Sequence, residues 1–494
     1  MKRTAATAAA VALCILGMVP SSAAARRPPV VLVVFDAFPS VTLLDAHGRI
    51  DGARFPTFAR LAAGSTWFPY STTTVDETGR AFRSLVTGRT QWHFAKPTYD
   101  EHPKNLFTAL GRKYRIEAGE EATSLCPPRL CPGVQPQTGE SIVRLLEGGR
   151  PERFASWLER VGPSRRPTFY FKHLMLPHPP WIYLPSGHVY WDGPSENVVT
   201  RDDWYSVPWL IQQKYQRELL QVGYADLLIG QLLDRLRANG MYDRSLIVVT
   251  ADHGESFGHP GETRAVNRSN VGDIALTPLF VKLPFQRRGR VDRRHVRIID
   301  IAPTIARIAR VHLGWKVAGR SVFGPAARKI PHSSVLVGRG GQRIRLTPKS
   351  LRKRAAASLR LKLGLFGGPR GLFGIGPHRE LQGTAVAAWP KAPNGGVRAE
   401  LDSPGRFQSV QLGSTEPPVK VTGRLTGPGS EAPLDIAIAV NGTIEATAPA
   451  FGVSRSPNRL FSALIPEGAL REGANTVQLF AIQSGPALSP IGGT

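Results

Sequence analysis

Cysteine is scarce in this chain, with three in 494 residues. Cys14 lies in an apolar run near the N-terminus, which leaves Cys126 and Cys131 in LCPPRLC. Two thiols with no further soft ligands exclude a thiolate metal cluster. A close pair in an exported chain reads instead as one disulfide pinning a proline-rich loop. A second long apolar run is also missing, which excludes a further membrane span. Acidic residues are few, 37 against 63 Lys and Arg, for a net charge of +26. That balance suits anionic partners such as cell-wall polymer or membrane phospholipid headgroups. The positive residues are mostly Arg and scattered, which argues against nucleic acid.

The one apolar run, from Ala5 to Val19, follows Lys2 and Arg3 and precedes Ala23-Ala24-Ala25. A basic start, an apolar centre and a small-residue end describe a secretory signal peptide over residues 1–25. The residues before Cys14 do not end in a small one, so a lipoprotein anchor is not expected. The chain is therefore read as secreted or extracytoplasmic and associated with the cell envelope. Its length calls for two or three domains. With 42% hydrophobic and 20% charged residues, the composition is that of a globular protein.

Leu246–His259 reads LIVVTADHGESFGH. The β-branched run predicts a buried parallel strand, and the polar cluster falls where that strand ends. Ligands of open α/β sheets bind outside the carboxyl ends of the strands. Asp252 and His253 there can offer a carboxylate oxygen and an imidazole nitrogen to a divalent metal. Gly254 would let the backbone turn beside the ion. The plainer reading has Asp252 cap a helix and His253 pack. Pro29–Phe35 (PVVLVVF) predicts a second buried strand ending at Asp36, which could meet Asp252 and His253 on one rim. Alone, Asp36 also reads as a turn residue before Pro39.

Tyr70–Arg89 reads YSTTTVDETGRAFRSLVTGR, and here the chain resembles the sulfatase/alkaline phosphatase superfamily. Sulfatases carry their nucleophile at a helix start, nine residues before the Thr of a Thr-Gly-Arg ending. Counting back from Thr87-Gly88-Arg89 reaches Thr78. Members acting on phosphate esters and phosphodiesters, including the lipoteichoic acid synthase-like group, use Thr there. The resemblance thus implies Thr78 as nucleophile, with Thr72, Thr73 and Thr74 as rivals. Locally, Thr78 also reads as a helix cap. The helix start would offer backbone N–H groups to an anionic ester.

The departures from sulfatases are specific. Thr cannot be converted to formylglycine. Arg80 and Phe82 stand where sulfatases have Pro and Arg. Ala37 follows Asp36 in place of a second aspartate, and the downstream Gly-Lys-Trp-His segment is missing. These differences favour phosphoryl over sulfuryl transfer.

Thr168–Leu174 predicts another strand, leading into MLPHPPWIYLPSG. The resemblance implies an ester-contacting histidine here, His178 first and His173 second. Trp181 reads as a cleft or a core aromatic. His259 is a candidate substrate or metal contact, and Arg80 a candidate to neutralise developing charge. An Asp-x-x-Pro-Thr at Asp300 is shared with sulfatase-like chains and is read as structural. Trp209–Asn239 carries Leu220, Tyr224, Leu227, Leu228 and Leu232 at helical spacing and is given packing alone.

Lys349, Arg352, Lys353, Arg354, Arg360 and Lys362 crowd one stretch with Leu351, Leu359 and Leu363. They read as a solvated basic face or as an amphipathic helix lying on an anionic surface. Gly364–Gly376 reads as a flexible connection. Beyond residue 395 the pattern turns to period two, with a hairpin at Asn441-Gly442. A small β-sandwich is expected there, which could bind glycan or wall polymer or simply cover the catalytic domain; no aromatic platform decides between them.

The expected architecture is α/β: a three-layer α/β/α sandwich of the alkaline phosphatase-like kind with a C-terminal β-sandwich domain. The expected divisions are signal peptide 1–25, catalytic domain 28–325, basic Gly-rich connection 326–394 and β-rich domain 395–494. The expected activity is metal-dependent hydrolysis or transfer of a phosphomonoester or phosphodiester. Asp36, Thr78, Asp252 and His253 would hold one divalent ion, Mn, Zn or Mg. Sulfate ester hydrolysis and non-catalytic binding of a wall polyanion are the alternatives.

Overall fold

The computed structural model describes residues 27–133, 145, 148–190, 193–257, 264–331, 333–485 and 487–494. The expected signal peptide and His259 lie outside the described residues. Among those described, no helix is long and apolar enough to cross a membrane.

The centre is a seven-stranded sheet. Its strands are β1 (Val30–Asp36), β2 (Thr66–Trp67), β3 (Arg115–Gly119), β4 (Thr168–Pro177), β5 (Leu246–Ala251), β6 (Leu279–Lys282) and β7 (Arg290–Val291). They lie in the order β3-β4-β1-β5-β6-β2-β7. β1 sits between β4 and β5 and is parallel to both. β6 runs antiparallel against β5.

Both faces of β1 are covered, which is why its sequence is continuously apolar. Side chains alternate along a strand. Val30, Leu32 and Val34 pack with residues of α2 (Thr78–Thr87), α3 (Leu106–Gly111) and α6 (Ile301–Ala309). Val31, Val33 and Phe35 pack with α1 (Pro56–Gly64), α4 (Arg150–Glu159) and α5 (Pro208–Ala238). The result is a three-layer α/β/α sandwich.

The C-terminal part is a β-sandwich. One sheet holds β8 (Arg398–Leu401), β9 (Lys420–Thr426) and β12 (Leu460–Leu464). The other holds β11 (Thr443–Pro449), β10 (Asp435–Val440), β13 (Val477–Ile482) and β14 (Leu488–Gly493). Asn441 and Gly442 turn the β10–β11 hairpin with φ of 52° and 85°, as an Asn-Gly hairpin requires. The sandwich packs on the first half of α5. Trp209, Leu210, Tyr215 and Leu219 share an apolar core with Val421, Ile436, Phe461 and Leu479. Trp209 Nε1 donates to the Ser462 carbonyl at 2.9 Å. The buried Lys420 ammonium bonds the Glu196 carboxylate, which also accepts from Ser462 Oγ.

The basic stretch forms α7 (Pro348–Phe366) and differs from a surface-lying helix. Its apolar side is already covered. Leu351 packs with Val271, Ile274 and Ala275, and Phe366 joins the core under the β-sandwich. Lys362 is fully buried and donates to the Thr42 and Leu44 carbonyls, each at 2.7 Å. Arg352, Lys353 and Arg360 remain exposed, so the solvated-face reading is the correct one. The Gly-rich segment after the helix is tied down as well. Arg54 bonds the Phe366 carbonyl, Gln216 that of Leu372 and Gln382 that of Ile375.

Candidate active site

The parallel register places the ends of β1 and β5 side by side, with Phe35 opposite Ala251. Asp36 and Asp252 therefore emerge together on one rim. The backbone secures the second of them. The N–H groups of Ala37 and His253 donate to Asp252 Oδ1 at 3.2 and 2.6 Å. Ala37 takes a left-handed φ of 59°, a costly conformation for a residue with a Cβ and one that recurs at functional sites. Gly254 serves space rather than a turn. A Cβ there would lie 1.9 Å from the Asp273 carbonyl oxygen.

Thr78 is the first residue of α2, and Glu77 caps that helix. The Glu77 carboxylate accepts from the N–H groups of Gly79 and Arg80 at 2.8 and 3.0 Å. Those two donors, expected to face an ester, are thus taken within the chain. The Thr78 hydroxyl lies 3.3 Å from Asp36 Oδ2 and 3.3 Å from His253 Nε2. Two of the rivals are engaged elsewhere: Thr72 Oγ1 meets His295 Nε2, and Thr73 Oγ1 donates to the Val75 carbonyl, while Thr74 Oγ1 is buried with no hydrogen-bond partner.

Ligand atoms of Asp36, Asp252 and His253 all lie within 4.8 Å of one another. Asp36 Oδ1 and Asp252 Oδ2 are buried with no hydrogen-bond partner. Burial and the neighbouring Asp36 charge push the Asp252 carboxyl well above its usual range. Burial would raise Asp36 too, but His178, His173, His253 and Arg264 together hold it well below the usual range. His253 Nδ1 is 2.9 Å from the Gly254 carbonyl, which leaves Nε2 as the lone pair facing the carboxylates. Two orphaned carboxylate oxygens, one imidazole nitrogen and a hydroxyl form a donor set that fits a hard or borderline divalent cation.

Arg264, absent from the sequence-based expectations, is a cation that faces this cluster. Its Nη1 lies 2.7 Å from His178 Nε2, and its Nη2 lies 3.1 Å from His253 Nε2 and 4.0 Å from Asp36 Oδ1. His178 Nδ1 lies 2.6 Å from the Pro179 carbonyl, so its Nε2 accepts from Arg264. Burial and the Arg264 charge lower both imidazoles, His178 to about 4 and His253 to about 3, against the opposing pull of Asp36. The His178 loop is clamped by Arg150, which donates to the His178 and Pro179 carbonyls, and by Gln221, which donates to those of Pro177 and His178.

Two expectations move. Arg80 does not face the cluster, because its guanidinium is held by Asp76 at 3.0 Å and Glu77 at 3.5 Å. His173 is completely buried behind Asp36. Its Nε2 lies 3.5 Å from Asp36 Oδ2, its Nδ1 accepts from the Ala122 N–H, and its ring packs on Phe82. It can orient Asp36 but has no open side toward an ester. Trp181 is a core aromatic, set edge-on to Phe257. Asp300 has the structural part expected of it, pairing with Arg297 at 2.8 Å. Cys126 and Cys131 form a disulfide.

A hydroxyl at a helix start, set against an Asp and an Asp-His pair on the rim of an α/β/α sandwich, is the arrangement that the resemblance to the sulfatase/alkaline phosphatase superfamily implies. Residues 151–311 match the Sulfatase family model. The match takes in β4, α5, β5 and Asp252-His253, while Asp36 and Thr78 precede it. The fold is also similar to the phosphonate monoester hydrolase of Silicibacter pomeroyi, at 17% identity over 63% of this chain and 79% of that one (TM-score 0.47). The phosphonate monoester hydrolase of Agrobacterium radiobacter gives 16% over 63% and 80% (TM-score 0.46). A 2-O GAG sulfatase, BT1596, gives 13% over 63% and 78% (TM-score 0.46).

Proposed function

We propose that this protein is an exported, metal-dependent hydrolase or transferase of a phosphate ester, with Thr78 as its nucleophile. The observation that carries the reading is the Thr78 hydroxyl, lying 3.3 Å from both Asp36 and His253 beside two orphaned carboxylate oxygens. Asp36, Thr78, Asp252 and His253 would hold the ion. When bound, a divalent cation would lower the pKa of the hydroxyl and offset charge on the ester oxygens.

Thr78 Oγ1 gives up its proton and attacks the phosphorus; the P–O bond to the leaving group breaks, that oxygen takes up a proton and departs as the alcohol, and a phosphothreonine is left. Asp36 Oδ2, which already accepts the Oγ1 hydrogen bond, orients the hydroxyl. Arg264 faces the non-bridging oxygens and neutralises the charge that spreads over them in the transition state. His178 stays neutral at physiological pH and serves as the acceptor that aims Arg264. Water or an acceptor alcohol then releases the phosphoryl group. Export is supported by the leader sequence and by the Cys126–Cys131 disulfide.

The Sulfatase match favours a second reading, sulfate ester hydrolysis. One assay separates the two. Wild type and Thr78→Ala are tested on an aryl phosphate, an aryl phosphodiester and an aryl sulfate, with Mn, Zn or Mg restored after chelation. The expected result is metal-dependent phosphate ester turnover that falls by about a thousandfold or more in Thr78→Ala. Aryl sulfate turnover that survives the substitution would overturn the phosphate reading. No turnover of any ester, together with tight binding to anionic polymer, would favour the non-catalytic alternative.

A further inference from the structure

At the opposite pole of the central sheet, where β1, β4 and β5 begin, lies a cavity of about 1180 Å³. Arg27, Arg165, Arg166, Arg244, Arg307 and Arg310 line it, and among the described residues no Asp or Glu does. A concave, single-sign surface of this kind concentrates anions. Phe285 stands on the same rim with 71% of its surface exposed. It is held outward by its backbone, which has a φ of 60° and an N–H bonded to the Asp243 carbonyl. Exposed Arg287 and Arg288 extend the basic surface beyond it.

We propose that this pole docks on an anionic phospholipid surface. The arginines meet headgroup phosphates, and the Phe285 ring enters the boundary between headgroups and acyl chains. The ring is what favours a membrane over a soluble polyanion. Phosphate in solution would occupy the arginines and leave the aromatic in water, whereas a bilayer interface satisfies both. The surface is separate from the ester site, so the proposal stands or falls independently of the catalytic reading.

Vesicle flotation of the purified protein tests it. The vesicles are phosphatidylcholine alone or with phosphatidylglycerol, and every protein carries the same N-terminus. The variants are R165E/R166E/R244E, Phe285→Ser, and R352E/K353E/R360E on α7 as a control of equal charge change. All of these side chains except Phe285 are exposed arginines or lysines, and unchanged thermal melting confirms each fold. Wild type should float with the anionic vesicles only. The cleft triple should lose about tenfold or more in affinity, and Phe285→Ser several-fold. The α7 triple should bind like wild type. Full binding by the cleft triple, or equal loss in both triples, would overturn the proposal. So would binding to inorganic polyphosphate that the cleft triple abolishes while Phe285→Ser leaves vesicle binding intact.

Discussion

At the scale of single residues, Arg264 and the cation expected at Asp36 compete for one space. The guanidinium is 3.1 Å from His253 Nε2 and 4.0 Å from Asp36 Oδ1. Arg264→Gln should therefore bind a divalent ion at least as tightly as wild type by calorimetry, while phosphate ester turnover falls by about a hundredfold or more. A parallel loss of ion binding would show that Arg264 builds the site rather than serving the ester. Asp252 is a second case of function set against stability. Its buried carboxyl faces that of Asp36, and an Asn could keep Oδ1 for the Ala37 and His253 donors. Without metal, Asp252→Asn should melt higher by the equivalent of about 1–2 kcal/mol and should no longer respond to added ion. A lower melting temperature in chelator would contradict the crowding of the two carboxylates. Asp36, Asp252 and His253 were legible because each follows an apolar strand, and strand ends share a rim. Arg264 was not, because it is one Arg among many and follows a stretch with no periodicity. Arg80 was misjudged because position alone does not reveal that Asp76, four residues earlier, captures it.

At the scale of elements, the strands and the long helix could be read from periodicity, since β1, β5, β13 and α5 carry their burial in their own residues. What α7 rests on could not be read, because its cover comes from Thr42–Leu44 and Val271–Ala275, distant in sequence. The consequence is a buried lysine. Burial, with a smaller push from Arg54, lowers Lys362 to about 8, against an ordinary 10.5. Between those values the unfolded chain holds the proton more often than the folded one, so stability rises with pH across that window. Below about 8 both states are protonated and the penalty is constant, about 3 kcal/mol. The stability of wild type relative to Lys362→Met should therefore increase from pH 8 toward 10.5, as measured by urea unfolding at several pH values. A flat difference would mean that the two carbonyls fully compensate the buried charge.

At the scale of the whole molecule, the β-sandwich is joined to the α/β/α unit by a continuous apolar core that includes Trp209. Trp209→Ala should cost about 3–5 kcal/mol and split a single calorimetric transition into two. A single transition in the variant would show that the polar contacts of Glu196, Lys420 and Ser462 couple the halves unaided. The sandwich itself was foreseeable from alternation and the Asn-Gly turn, but its seat on α5 was not, since the residues that join them are scattered along the chain. β1 has one more consequence. It starts three residues after Arg27 and ends at Asp36, so it also works as a ruler. Seven strand residues measure about 20 Å. A protein held by its arginine pole would carry its chemistry at that standoff, within reach of groups that project from a surface rather than those embedded in it.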